Sequence, residues 1–225
     1  MAIKDNLCKI KQNIADVCAE CGRNPDDVLI LAVTKTRSAD EINEAIECGI
    51  TDIGENRVQE LLSKYDDVNK NVRWHIIGHL QTNKVKYIAD KVSVIHSVDS
   101  LKLAEEIDRR CQPLGKVMDI LIEINSGEEN KDGIAPDDAY ELIEKACRLK
   151  NVRIRGLMTM APLGASSDEL ERVFSRLYNL SVDIESKKYD NVSMESLSMG
   201  MSGDYIEAVR CGSTIIRPGR TLFNI

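Results

Sequence analysis

The longest apolar runs, such as the one around Ile120–Ile124, fall far short of the roughly 20 residues that span a bilayer. No transmembrane helix is therefore expected, and no membrane partner. A signal peptide is missing as well: Met1-Ala2-Ile3-Lys4-Asp5 leads straight into a mixed-charge amphipathic stretch. Positive charge is not in excess, since 30 Lys and Arg face 37 Asp and Glu for a formal net charge of -7. That balance argues against nucleic acid, because neutralising a phosphate backbone needs a basic face. The seven cysteines (Cys8, Cys18, Cys21, Cys48, Cys111, Cys147 and Cys211) are scattered and odd in number. Without a secretion signal they read as reduced thiols, which places the chain in the cytoplasm. Cys18-Ala-Glu-Cys21 has C-x-x-C spacing but no second pair, so it reads as small apolar helix residues rather than a metal or redox site.

Linkers, low-complexity tracts and charge blocks are also lacking, so nothing divides the 225 residues, and 1–225 reads as one generous domain. Hydrophobic residues at 43% and charged residues at 30% are those of an ordinary globular protein. What the chain does have is alternation. Short β-branched segments recur, each followed by a segment of helical period. The strand candidates are Leu29–Lys35, Asp52–Asn56, Arg73–His79, Val92–Val98, Met118–Asn125, Ile154–Met160, Glu195–Gly200 and Thr214–Gly219. Helix candidates begin near Ser38, Arg57, Gln81, Ser100, Pro136, Ser167 and Gly203, with one more ahead of the first strand. Ser38 and Glu41 form a capping-box pair.

Strands that alternate with helices pair in parallel through right-handed crossovers, as an open doubly wound sheet or a closed (β/α)8 barrel. An open sheet predicts a G-x-G-x-x-G after the first strand, where this chain has Thr34-Lys35-Thr36-Arg37. The α/β class with a single (β/α)8 barrel and an extra N-terminal helix is therefore expected, and the length is close to the usual one of about 250 residues.

Chemistry in such barrels sits at the C-terminal strand ends. Those ends read Lys35, Glu55-Asn56, His79, His96-Ser97, Asn125, Met158-Thr159, Ser198-Met199-Gly200 and Arg217-Pro218-Gly219. A scaffold alone has no need of so many polar groups on one rim. Strand alternation puts Lys35 in phase with Leu29, Leu31 and Val33, at the end of an inward aliphatic column. Desolvated there it is a candidate Schiff-base nucleophile; the alternative is a rim lysine reaching water. Ser198 to Asp204 joins a strand to a helix start with serines and glycines, which suits a phosphate or else a capped tight loop. Arg217-Pro-Gly-Arg-Thr221 offers a second loop with close backbone approach at Gly219, and loops after strands 7 and 8 are where barrels often bind phosphate. His75 and His79 share one face beside Trp74, yet with no carboxylate or cysteine in the motif they read as hydrogen-bonding groups and no metal site is expected.

Taken together, Ala32-Val33-Thr34-Lys35, Gly54-Glu55-Asn56-Arg57-Val58-Gln59-Glu60, Trp74 through Lys84, Gly156-Leu157-Met158 and Leu197 through Ser202 resemble the pyridoxal phosphate homeostasis (YggS/PROSC) family. The resemblance runs through nearly the whole chain. It implies a barrel like the N-terminal domain of alanine racemase, holding pyridoxal 5′-phosphate (PLP) as a Schiff base on Lys35. It places the phosphate loop on Ser198 and Ser202 and the last-strand motif on Arg217, Gly219 and Arg220, with Arg217 toward the pyridine nitrogen. Some relatives have threonine where this chain has Arg220, so only a backbone contact carries over there. Asn56 and His79 match family blocks in supporting roles.

An arginine at the pyridine nitrogen disfavours its protonation and weakens PLP as an electron sink. With the chain ending six residues after Gly219, no second domain is expected to supply a racemase's opposing base. The expectation is a non-catalytic PLP-binding protein of vitamin B6 homeostasis, with no catalytic residue of its own. It would act as a monomer with PLP, and PLP-dependent apoenzymes, as partners. Alternatives are a low-activity PLP-dependent amino-acid racemase and a Schiff-base aldolase using Lys35 directly.

Overall fold

Eight parallel strands close into a barrel in sequence order, β1 pairing with β8 to complete the ring. They are β1 (Leu29–Val33), β2 (Asp52–Glu55), β3 (Arg73–Ile76), β4 (Val94–Val98), β5 (Met118–Glu123), β6 (Val152–Met158), β7 (Val192–Met201) and β8 (Ile215–Arg217). The structure, a computed structural model, describes residues 2–127 and 132–224, so both ends of the expected 1–225 unit lie outside the described residues. The helices are α1 (Ile3–Cys21), α2 (Ala39–Glu47), α3 (Val58–Lys64), α4 (Leu101–Cys111), α5 (Ala139–Ala146), α6 (Ser167–Ser186), α7 (Tyr205–Arg210) and α8 (Arg220–Phe223).

Each expected strand overlaps an observed one, and the expected barrel is found. Most differences are at the rim. Lys35, Asn56, His79, Asn125, Met160 and Gly219 fall past the strand ends, in the βα loops. A polar residue can continue the two-residue period without finding a ladder partner, so alternation alone overruns a strand end. The expected helix near Gln81 is a run of 3-10 turns over Thr82–Tyr87. Val85, Ile88, Ala89 and Val92 are buried at helical spacing, and Gln81 at the start of the run makes no side-chain cap bond.

Two apolar layers result. The strands' outward faces pack on the helices through residues such as Ile53, Ile76, Ile95, Ile154 and Phe174. The inward faces hold Leu31, Val33, Ile77, Leu121, Met158 and Ile215. That inner set is small because polar side chains take the other inward positions: Asp52, His75, His96, Ser198 and Arg217 are all buried. The capping box at Ser38 and Glu41 opens α2 as expected, and Ser166 with Glu169 repeats it at α6. Helix α1 packs on α7 and α8, with Asn6 Nδ2 donating to the Leu222 carbonyl at 2.9 Å and Asn13 Nδ2 to the Tyr205 hydroxyl at 2.6 Å. The two short helices after β7 and β8 are thereby held from outside.

Candidate functional site

Lys35 stands two residues past β1, exposed, in a turn at the barrel's C-terminal rim. Of the two expected placements, this is the rim lysine reaching water and not the desolvated amine closing the inner column. The β1 ladder stops at Val33, and Thr36 turns the chain with a φ of 64°, in the left-handed region that a β-branched residue rarely adopts. The turn is staked from below. Lys64 Nζ donates to the Thr34 carbonyl at 2.9 Å, to Glu55 Oε1 at 2.9 Å and to Glu60 Oε1 at 2.8 Å. Thr34 Oγ1 donates to Glu55 Oε1 at 2.7 Å, and the Thr36 N–H donates to the Glu60 carboxylate. Burial raises the Glu55 carboxyl above its ordinary value, against the bonds from Lys64 and Thr34 that lower it. On the other flank the Val33 N–H donates to the Pro218 carbonyl at 3.0 Å, which sets the Lys35 turn beside the loop that follows β8.

That loop and the one after β7 meet at Ser202. Its hydroxyl oxygen accepts from the Gly219 N–H and the Thr221 N–H, both at 3.1 Å, and the Thr221 hydroxyl donates to the Ser202 carbonyl at 3.1 Å. Two backbone donors thus converge on one oxygen, a geometry that suits an anion's oxygen as well as a hydroxyl. The loop comes this close because Gly200 has a φ of 94°, and a Cβ on it would lie 2.6 Å from the Ala208 Cβ. Arg220 opens α8 with an exposed side chain, and it is the neighbouring Thr221 whose N–H reaches Ser202. Ser198 is not in this loop. It lies within β7 with no exposed surface, its hydroxyl bonded to His96 and Arg217, which corrects its expected place beside Ser202. Asn56 sits at the end of β2, and a Cβ at Gly78 would lie 2.7 Å from its carbonyl oxygen, so Gly78 lets the loop after β3 close over it.

Under the rim, Arg217 is 3% exposed and donates through Nη1 to Ser198 Oγ at 2.6 Å and through Nη2 to the Thr159 carbonyl at 2.8 Å. Burial pulls its pKa down to about 10, while Asp204 and Glu123 act to raise it, so the guanidinium stays charged at neutral pH. Behind Ser198 the polar contacts continue: His96 Nδ1 lies 2.8 Å from Ser198 Oγ, His75 Nδ1 lies 2.9 Å from His96 Nε2, and His75 Nε2 lies 2.8 Å from Asp52 Oδ1. His96 was expected at the rim and is instead inside the barrel: it lies two residues before the end of β4 at Val98, fully buried. Glu123 at the end of β5 is 3% exposed; burial first, then Asp132 and Asp99, pushes its carboxyl up to about 7. His79 is half-exposed, 3.7 Å from the carboxylates of Asp99 and Asp132. Among the described residues no three His, Cys, Asp or Glu side chains group as a metal site.

The model of the alanine racemase N-terminal domain family matches residues 6–225. The pyridoxal phosphate homeostasis protein of Aquifex aeolicus is 40% identical over 221 residues, covering 97% of this chain and 96% of that protein. The chain belongs to the pyridoxal phosphate homeostasis protein family. Its counterpart from Escherichia coli K12 is 33% identical over 226 residues, at 98% and 95% coverage. Among solved structures, PipY of Synechococcus elongatus with PLP bound superposes with a TM-score of 0.87 at 32% identity, covering 98% of this chain and 99% of that one. An alanine racemase of Clostridium difficile shares the fold at a TM-score of 0.73 and 17% identity, and this chain spans 56% of its length.

Sequence reasoning missed Lys64, Glu123 and Asp52, and named Glu60 and Thr221 only inside longer motifs without a role of their own. A signal existed for Asp52, a charged residue two positions before Gly54 and so on the same inward face of β2. Lys64 and Glu60 carried none, as an i, i+4 pair on a helix reads as solvated surface.

Proposed function

We propose that this chain binds pyridoxal 5′-phosphate on the upper rim of a single barrel domain and serves as a carrier or buffer in vitamin B6 homeostasis, without turnover of its own. The observation that carries this reading is the placement of three unlike groups on neighbouring segments of one rim: the exposed Lys35 amine in the turn after β1, the paired N–H groups at Ser202, and the buried Arg217 guanidinium at the end of β8. An amine, an anion cradle and a cation are the donor set that a phosphorylated pyridine aldehyde requires. Such a group supplies a carbonyl for reversible covalent capture by an amine. Lys35 would be the point of attachment, a Schiff base. Ser202 with the Gly219 and Thr221 N–H groups would hold the phosphate, and Arg220 would lend charge from the loop's edge. Asn56 would support the ring from the loop after β2, and Ser198 would act through Arg217.

Arg217 also supports a role without turnover. A guanidinium facing the ring nitrogen disfavours its protonation and weakens electron withdrawal from the reacting carbon. Relatives that align over nearly their whole length carry the homeostasis name, and PipY is solved with PLP. In this reading the chain works as a cytoplasmic monomer whose partners are PLP and the apoenzymes that use it. No helix among the described residues is long and apolar enough to cross a membrane.

The test is an absorbance spectrum of the purified protein beside Lys35→Ala, followed by borohydride reduction and peptide mapping. Yellow protein with the label on Lys35 is expected. A colourless protein, or a label independent of Lys35, sinks the cofactor reading. Turnover of alanine or serine above the rate of free PLP replaces the carrier role with racemase chemistry.

A further inference from the structure

With both buried imidazoles neutral and Asp52 ionised, the hydrogen-bond partners inside the barrel leave one consistent placement of every proton. A guanidinium only donates, so Ser198 Oγ accepts from Arg217 and has its own hydrogen left to give. His96 Nδ1, 2.8 Å away, is the bare nitrogen that accepts it when both rings are neutral, because the Asp52 carboxylate takes the Nε2 hydrogen of His75, and His75 Nδ1 then takes the Nε2 hydrogen of His96. The His96 hydrogen is then on Nε2 and points at His75 Nδ1 across 2.9 Å. His75 in turn carries its hydrogen on Nε2 and donates it to Asp52 Oδ1 at 2.8 Å. Asp52 ends the series as an acceptor of everything around it, with Arg73 Nε at 2.8 Å from Oδ1 and Thr51 Oγ1 donating to Oδ2 at 2.7 Å.

Running the series the other way requires one more proton on an imidazole. Burial opposes that at both rings, with Arg73 adding to the opposition at His75, and His75 and Arg217 adding to it at His96; Asp52 alone favours it, at His75. The contacts also cross the barrel, from β2 through β3 and β4 to β7 and β8. Asp52 and His75 line a cavity of about 340 Å³ at the N-terminal mouth, and Arg217 lies at the opposite, C-terminal rim.

We propose that Asp52, His75 and His96 form a directional hydrogen-bond column that orients Ser198 and, through it, Arg217, making them positioning residues for the cofactor-facing guanidinium. The proposal rests on the reading that Arg217 faces the bound ring. Its consequence is that a charge at the barrel's N-terminal mouth is felt at the C-terminal rim through fixed tautomers. Asp204 and Glu123 are the other charged groups that act on Arg217, and neither belongs to the column.

The chain has three histidines, so nitrogen-15 labelling of histidine gives a spectrum of three rings. Two-bond correlation spectra of the purified protein are expected to show His75 and His96 both as neutral Nε2–H tautomers that do not titrate across the neutral range. His79, half-exposed, is the internal reference. An Nδ1–H tautomer or a protonated ring at either buried position overturns the column. The second arm follows the absorbance of bound PLP against pH in wild type and Asp52→Asn. Removing a negative charge destabilises a cationic imine, so the titration midpoint falls by about half a pH unit in the variant, the order expected for one charge acting over two side-chain layers. An unchanged midpoint in folded Asp52→Asn overturns the coupling. A colourless wild type that keeps both tautomers removes the cofactor reading itself, and with it the role given to the column, so the two failures are told apart.

Discussion

Lys64 reaches back from the last turn of α3 to place its ammonium 2.9 Å from Oε1 of Glu55, a carboxylate with no exposed surface. Removing the cation leaves a buried acid without its ion partner, and breaking one half of such a pair costs about 3 kcal/mol or more. Lys64→Met is therefore expected to lose about 3 kcal/mol in urea unfolding. Adding Glu55→Gln to that variant should recover more than half of the loss, since the uncompensated charge is then gone. An additive double variant would show that the two side chains are not coupled.

Glu123 gives stability an unusual slope with pH. Its carboxyl titrates near 7 in the folded protein, raised by burial and by Asp132 and Asp99, against about 4.3 in an unfolded chain. A raised acid stabilises the fold while it is protonated in both states, below about pH 4. That contribution is lost as pH climbs toward 7, because the unfolded state ionises first. The loss has an upper bound of about 4 kcal/mol at 1.36 kcal/mol per unit. Glu123→Gln should match wild type at pH 4 and exceed it at pH 8 by about 2 kcal/mol. Urea midpoints at the two pH values check this, and equal offsets at both would refute it.

Asp52 has the opposite sign. Burial alone would raise its carboxyl, but hydrogen bonds from His75, Arg73 and Thr51 outweigh that and hold it at about 2. A lowered acid contributes above its unfolded value of about 3.9, and the contribution disappears as pH falls to 2. Asp52→Asn is expected to cost about 2 kcal/mol at pH 7 and almost nothing at pH 2. Thermal or urea unfolding over that range measures it; a cost that persists at pH 2 would mean that packing, not ionisation, is what the carboxylate supplies.

The barrel was legible because it rests on local periodicity. Leu29, Leu31 and Val33 alternate inward in β1, and each later strand repeats the pattern with a helical segment between. The rim was legible only in part. Lys35 keeps the two-residue phase of β1, so alternation continues the strand through it, whereas the ladder stops at Val33 and an exposed turn follows. Ser198 and Ser202 are neighbours in one motif, yet four residues of strand and turn send one into the lumen and the other to the rim. The polar column was not legible. Alternation tells which face Asp52, His75, His96 and Ser198 occupy, but whether they meet depends on strand register and on closure across the lumen. The bond between His96 and Ser198 joins residues 102 apart, and no pattern in either segment announces it.

Gly200 tests whether the anion cradle depends on the turn that builds it. Its φ of 94° is one that a side chain adopts only under strain, and a Cβ there would lie 2.6 Å from the Ala208 Cβ and 2.9 Å from the Tyr205 Cα. Gly200→Ala must therefore push the loop after β7 away from α7, at about 2–3 kcal/mol. The movement also draws Ser202 off the Gly219 and Thr221 N–H groups, so PLP retention in equilibrium dialysis should fall more than the stability loss alone explains, by about tenfold. Adding Ala208→Gly removes the contact with the side chain but neither the backbone contact nor the strain in φ, so the double variant should regain part of the stability and little of the retention. Wild-type retention in Gly200→Ala would separate the cradle from this turn and place the phosphate contact on the β8 loop alone.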